Sequence, residues 1–169
     1  VLDRIKAKYP ELPMMLCSGG GGRTDYEGLK YFQEMWPSDN TDPTERLFIQ
    51  WGYSQVFPTK VQCAHVTTWN KDAGIKYKVN VAMMGKLGFD INLHDISADE
   101  LKYCKRSIQE YNSLKPAILD GDQYRLVSPY EGNHAATMYV TKDQKEAVVF
   151  AFDIYPRFAE KLYNVVMQG

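Results

Sequence analysis

Met14-Met15-Leu16-Cys17-Ser18-Gly19-Gly20-Gly21-Gly22-Arg23 sets a short apolar run against four consecutive glycines, and Trp36-Pro37-Ser38-Asp39-Asn40-Thr41-Asp42 follows about twenty residues later. The apolar run, bounded by turn residues, reads as a short buried strand. Both segments lead towards a helix start. That placement puts their polar groups on one rim of a β/α scaffold, where such scaffolds hold substrates.

Working outward, Leu2 and Ile5 read as the end of a helix closed by Pro10 and Pro13. Leu29, Phe32 and Met35 recur at helical spacing, so the spacing predicts a helix over Tyr26 to Met35. Asp42-Pro43-Thr44-Glu45 is a helix start, with Asp at the cap, Pro in the first turn and Glu three residues on. Val61 to Val66 is strand-like. A polar loop through Trp69-Asn70-Lys71-Asp72, a short helix near Val79 to Met84 and an alternating strand at Phe89 to Leu93 come next. Ser97-Ala98-Asp99-Glu100 forms a capping box, followed by a helix with an apolar stripe of Leu101, Cys104, Ile108 and Tyr111 that runs towards Pro116.

Strand ends therefore fall near Cys17, Asp39, His65 and Asp90, each with a helix behind it. This repeat is close to the roughly 30 residues per unit of an eight-unit (β/α)8 barrel, and four units make half a barrel. After Asp120-Gly121 the texture changes. Gln123 to Ser128, Ala136 to Thr141 and Ala147 to Ile154 are short, aromatic and β-branched runs separated by polar turns such as Lys142-Asp143-Gln144-Lys145, the pattern of an antiparallel β region. A last strand candidate covers Leu162 to Met167. The expected class is α/β, with a half barrel over residues 1–118 and the start of a truncated β domain over 119–169. Because a half barrel leaves open sheet edges, both ends read as cuts through a larger protein.

At 169 residues the chain has the length of one domain with enough apolar content for a core. Its net charge of −1, with both signs interspersed, provides no footprint for a polyanion, so nucleic acid is not an expected partner. No run reaches membrane-spanning length, and a membrane partner is not expected either. Cys17, Cys63 and Cys104 form an odd set without CxxC spacing, against a disulfide framework or a structural zinc site. Free thiols are compatible with a cytoplasmic setting, but a chain that starts mid-pattern leaves the compartment unread. Twelve Tyr and three Trp suit a carbohydrate-stacking cleft and equally an ordinary core.

Asp39, at a strand end beside Trp36 and between Ser38 and Asn40, reads either as a turn carboxylate or as a proton donor and acceptor in a partly desolvated site. Asp42, before Pro43, reads as a helix cap. The glycine run lets backbone amides approach a sugar or an anion closely and suits positive φ, but it lacks the Lys-Ser/Thr of a phosphate loop. Cys17 reads on its own as a small core residue. Cys63 and His65 share a strand face, which permits a thiol–imidazole pair, although no third orienting group stands near. His94 and His134 have no metal-ligand spacing, and no metal is expected.

Taken together, Cys17 to Arg23, Trp36 to Asp42 with Glu45-Arg46-Leu47 and Ile49-Gln50, Ala64-His65-Val66, Val81 to Gly85, Gly88-Phe89-Asp90, and Gly121-Asp122 with Tyr124-Arg125-Leu126 and Ser128-Pro129 resemble the microbial α-galactosidases of glycoside hydrolase family 36. The resemblance runs nearly end to end. It implies the second half of a (β/α)8 catalytic barrel followed by a C-terminal antiparallel β domain, in a retaining, cofactor-free hydrolase that removes terminal α-D-galactosyl groups from oligosaccharides. It further implies that Asp39 is the general acid/base, that Cys17 and Gly19 line the galactose pocket and that Trp36 helps to wall it.

Asn40 stands where many members carry a second Asp, and Pro37 replaces a frequent Thr. The family's nucleophile belongs to a Lys-Trp-Asp motif on an earlier strand, and nothing between Val1 and Pro13 matches it. A retaining mechanism needs a second carboxylate about 5–5.5 Å from the first. The chain alone is therefore expected to be inactive, its partners being the α-galactoside and the remainder of a parent chain. Two further readings stay open: a non-catalytic assembly piece that pairs with its parent or with a second copy as a homo-oligomer, and a related α-N-acetylgalactosaminidase or galactosyl-transferring enzyme.

Overall fold

The computed structural model describes residues 1–17, 19–159 and 164–167. Four parallel strands form its first part. Met15–Leu16 (β1) pairs in parallel with Glu34–Met35 (β2), and Cys63–Thr67 (β3) pairs in parallel with Lys86–Asp90 (β4). A parallel bridge between Met35 and Gln62 joins the two pairs, so the strands follow one another in chain order. Helices separate them: Leu2–Lys8 (α1) before β1, Pro43–Tyr53 (α2) between β2 and β3, Ile75–Ala82 (α3) between β3 and β4, and Ala98–Asp120 (α4) after β4.

The helix starts follow local chemistry. Asp42 accepts the N–H groups of Thr44 and Glu45 and caps α2, with Pro43 supplying a first-turn residue that needs no donor. At α4, Ser97 and Glu100 complete both halves of the capping box. Pro116 does not end that helix, which continues to Asp120. The buried positions of α4 are Cys104, Ser107, Tyr111, Ala117 and Ile118, and Ile108 stays 42% exposed. The buried stripe drifts by one residue because 3.6 residues per turn selects Ser107 between Cys104 and Tyr111.

Three other expectations are corrected. Tyr26 to Met35 is not one helix; it is a single 3-10 turn at Glu27–Lys30 followed by β2. The i, i+3 spacing fits a 3-10 turn as well as an α-helix, and Met35, fully buried, belongs to the strand that pairs with Leu16. β1 is a strand but not a buried one, since Met15 is 45% exposed and Cys17 is exposed. β4 lies at Lys86–Asp90, ahead of the expected Phe89 to Leu93, because the three residues that pair with Ala64, His65 and Val66 are Leu87, Gly88 and Phe89.

The β region is an antiparallel sheet of Asp122–Val127 (β5), His134–Val140 (β6) and Ala147–Asp153 (β7), in that order. It packs on the helices through one continuous core that includes Val79, Met84, Cys104 and Ile118 from the first part and Ala135, Tyr139 and Phe150 from the second. Tyr139 donates its buried hydroxyl to the Met84 carbonyl at 2.9 Å, and Tyr111 donates to the Gly85 carbonyl at 2.8 Å. Both bonds satisfy carbonyls just ahead of β4 and fix its approach. Of the Leu162 to Met167 strand candidate, 162 and 163 lie outside the described residues, and residues 164–167 carry no strand.

Candidate active site

All four parallel strands release their chain at the same end, and there the connections after β2, β3 and β4 enclose a polar cleft of about 490 Å³. Trp36 and Asp39 line it after β2, Thr67 and Trp69 at the end of β3, and Asp90, Asn92 and Asp95 from the end of β4 onwards.

Asp39 is exposed, and Trp36 is half-buried beside it. The indole Nε1–H donates to Asp39 Oδ1 at 3.0 Å. Behind the carboxylate lies the glycine turn. Gly19, Gly20 and Gly21 all have positive φ (60°, 57° and 85°), which side-chain-bearing residues adopt only with strain. A Cβ on Gly20 would stand 3.3 Å from Asp39 Oδ2, and one on Gly21 would stand 2.2 Å from the Pro37 carbonyl oxygen. The turn therefore packs backbone against backbone on the segment that carries Asp39. Gly22 and Thr24 close it by donating to the carbonyls of Gly19 and Gly21.

The expected residues are thus partly assembled. Trp36, Asp39 and the glycine turn meet at one place, and the carboxylate opens into a concavity. Cys17 and Gly19 are exposed and are not among the residues that line this cleft. Ser18 lies outside the described residues. Ser38 and Asn40 do not hydrogen-bond to Asp39: the Ser38 hydroxyl accepts the Asn40 N–H, and the Asn40 side chain accepts the Asp42 N–H, so both fold the turn.

Arg46 is the residue to which sequence reasoning assigned no role. It sits on the buried face of α2, only 2% exposed, and its guanidinium donates to the carbonyls of Ser38 and Cys63. It thereby ties the Asp39 turn to β3. The same guanidinium lies 5.3 Å from the Trp36 ring centroid, a cation–π contact. Burial lowers it to about 10, which leaves it cationic at neutral pH. The available signal was a charged residue on the inward stripe of Pro43, Arg46, Leu47 and Gln50.

His65 packs edge-on against Trp36 with ring centroids 4.7 Å apart. Burial lowers its imidazole below the ordinary histidine value, the Arg46 charge adds to this, and Asp90 opposes it. Cys63 does not activate against it. Burial pushes the thiol up to about 11, with Glu34 adding to the effect, so it stays protonated where a nucleophile needs a thiolate. The Cys63 Sγ contacts Met15 Sδ at 3.6 Å and Glu34 Oε2 at 3.8 Å, so the thiol–imidazole pair that the spacing permits is not formed. Among the described residues no group of three or more His, Cys, Asp or Glu side chains is arranged to hold a metal ion.

The Melibiase family model matches residues 1–121. Alpha-galactosidase AgaA of Geobacillus stearothermophilus is 37% identical over 174 residues, covering 100% of this chain and 24% of its own length. Alpha-galactosidase 1 of Pediococcus pentosaceus is 35% identical over 159 residues, covering 91% of this chain and 22% of its own. The crystal structure of the family 36 α-galactosidase AgaA superimposes with a TM-score of 0.95 at 35% identity, over 99% of this chain and 24% of that one. AgaA variants have also been solved in complex with raffinose and with stachyose. The chain therefore spans about a quarter of the length of the relatives it matches.

Proposed function

Because this chain belongs to the Melibiase family, among the α-galactosidases of glycoside hydrolase family 36, we propose that it supplies the proton-transfer side of an α-galactosidase active site. Residues 1–118 are the second half of a (β/α)8 barrel and 119–169 the start of its C-terminal β domain. The four parallel strands in chain order support the first part of that reading, and the antiparallel sheet supports the second. The substrates are oligosaccharides that end in an α-D-galactosyl group. Raffinose and stachyose bound to AgaA support that class.

The reaction is retaining. A nucleophilic carboxylate from an earlier barrel strand, contributed by sequence outside this chain, attacks the anomeric carbon as the bond to the leaving oxygen breaks. Asp39 gives its proton to that oxygen. In the second half, Asp39 takes a proton from water as the water oxygen displaces the carboxylate from the anomeric carbon, which restores both groups. Trp36 walls the galactosyl ring, and Cys17 and Gly19 line its pocket on the glycine-turn side. No step calls for a cofactor.

One observation carries this reading: the Asp39 carboxyl is solvent-open at the cleft, held by one indole N–H and backed by a side-chain-free turn. In the full-length protein that contains this chain, Asp39→Asn should lower kcat on raffinose by about 100- to 10,000-fold, the usual worth of a positioned acid. Unchanged turnover would overturn the assignment. The 169-residue chain alone should be inactive, and hydrolysis by it that disappears with Asp39→Asn would place the nucleophile inside the chain.

A further inference from the structure

The cleft extends well beyond Asp39, and its far wall has a construction of its own. Trp69 is 56% exposed there. Its loop is built rather than loose. The Trp69 backbone N–H donates to Thr67 Oγ1 at 3.3 Å, and that hydroxyl lies 2.7 Å from Thr41 Oγ1, which anchors the start of the loop to the segment after Asp39. Asn70 takes a φ of 50°, and its carbonyl and side-chain oxygens both accept the Ala73 N–H at 3.2 Å. A large aromatic is thus presented to solvent on a hydrogen-bonded turn, lining a cleft whose other far-side residues are polar apart from Ile91.

Strand order decides what such a wall faces. The glycine turn follows β1, Asp39 follows β2, the Trp69 loop follows β3, and Asn92 and Asp95 follow β4. Asp39 therefore stands between the glycine turn and the Trp69 loop. A general acid must stand between the glycosyl ring and the departing group, because its proton goes to the oxygen that joins them. With the galactosyl ring on the glycine-turn side, the departing group extends over β3 and β4.

We propose that Trp69 is the platform for the leaving sugar, a specificity-determining residue that favours α-galactosides whose departing group is itself a sugar; this rests on the reading of Asp39 as acid/base. A sugar ring has an apolar C–H face and a hydroxyl-bearing rim. The Trp69 ring face takes the first. Asn92 and Asp95 take the second: the Asn92 side-chain oxygen already accepts the His94 N–H at 3.1 Å, which leaves its amide hydrogens for a sugar oxygen, and the Asp95 carboxylate accepts from hydroxyls. The cleft volume of about 490 Å³ accommodates a ligand on this side of Asp39.

The test compares two donors in the full-length protein: raffinose, whose leaving group is a sugar, and α-galactosyl fluoride, whose leaving group is a lone ion. Trp69→Ala should reduce the ratio of kcat/KM for raffinose to that for the fluoride by about five- to tenfold, the fold-change expected from losing one stacked ring. Trp69→Tyr should restore most of the ratio. A ratio unchanged in Trp69→Ala overturns the inference, whatever happens to the two rates together. Asp39→Asn run in parallel separates this from the underlying reading, since fluoride departs without a proton and raffinose does not. If Asp39→Asn fails to depress raffinose selectively, the acid/base assignment fails. If only the Trp69 ratio stays fixed, that assignment stands and the platform is wrong.

Discussion

Trp36 Nε1 donates to Asp39 Oδ1 at 3.0 Å, which ties the aromatic wall of the cleft to its carboxylate across a four-residue segment. The indole is itself fixed, with His65 against one edge and the Arg46 guanidinium over the ring. Replacing Trp36 by Phe keeps an aromatic wall and removes the donor. A hydrogen bond to a charged group contributes about 1.5–3 kcal/mol, so Trp36→Phe should lower kcat on raffinose by roughly tenfold or more. The double variant with Asp39→Asn should be no slower than Asp39→Asn alone, because the indole acts through that carboxylate. Additive losses would sink the coupling.

Gly21 and Gly19 offer a matched pair. Both have positive φ, but a Cβ on Gly21 collides with the Pro37 carbonyl, whereas one on Gly19 meets nothing within 4 Å. Gly19→Ala should therefore show only left-handed backbone strain, about 1–2 kcal/mol. Gly21→Ala adds a backbone clash that pushes the turn off Pro37 and displaces Asp39. Thermal unfolding should place Gly21→Ala below Gly19→Ala. Equal effects would mean that the turn does not brace the Asp39 segment.

Features with a local cause were legible in the chain. Asp42-Pro43 and Ser97 to Glu100 specify their own hydrogen bonds within three residues, and the structure forms them as read. The glycine run suited positive φ, and Gly19, Gly20 and Gly21 have it. What was lost depended on partners far along the chain. Met35 looked helical because an i, i+3 pattern does not distinguish a short helix from a 3-10 turn and strand; only pairing with Leu16 decides. Arg46 carried no reading of its own in the sequence, because what makes it a buried brace is the Cys63 carbonyl seventeen residues on. Ile108 looked apolar enough for the core, but the helical twist gave the place to Ser107.

His65 supplies a pH dependence with a definite sign. Burial and the Arg46 charge hold its imidazole below the ordinary value in the folded chain. The unfolded chain therefore binds this proton at a pH where the folded chain does not, with an unfolded pKa of about 6.5. The stability linked to His65 is complete above that value and declines as pH falls towards the folded pKa, below which the loss is complete. His65→Gln should flatten stability between about pH 6.5 and the folded pKa, as read from denaturant midpoints across that range. Asp90→Asn removes the opposing pull and should lower the imidazole further in an NMR titration. An upward shift would contradict the placement of Asp90 beside this ring.

The three thiols should separate cleanly by reactivity. The thiolate is the reacting species, and a thiol at about 11 is ionised to only about one part in a thousand at pH 8. Cys63 is buried as well, and burial also raises the Cys104 thiol. Cys17 is exposed at the end of β1. Alkylation of the native protein at pH 8, mapped by peptide mass, should mark Cys17 first, with Cys63 and Cys104 reacting only on unfolding. Because the proposed galactose pocket lies on the glycine-turn side, saturating galactose should slow the labelling of Cys17 and leave the order of the other two unchanged. Labelling of Cys17 at the same rate with and without the sugar would remove that residue from the pocket while leaving Asp39 and Trp36 where the cleft places them.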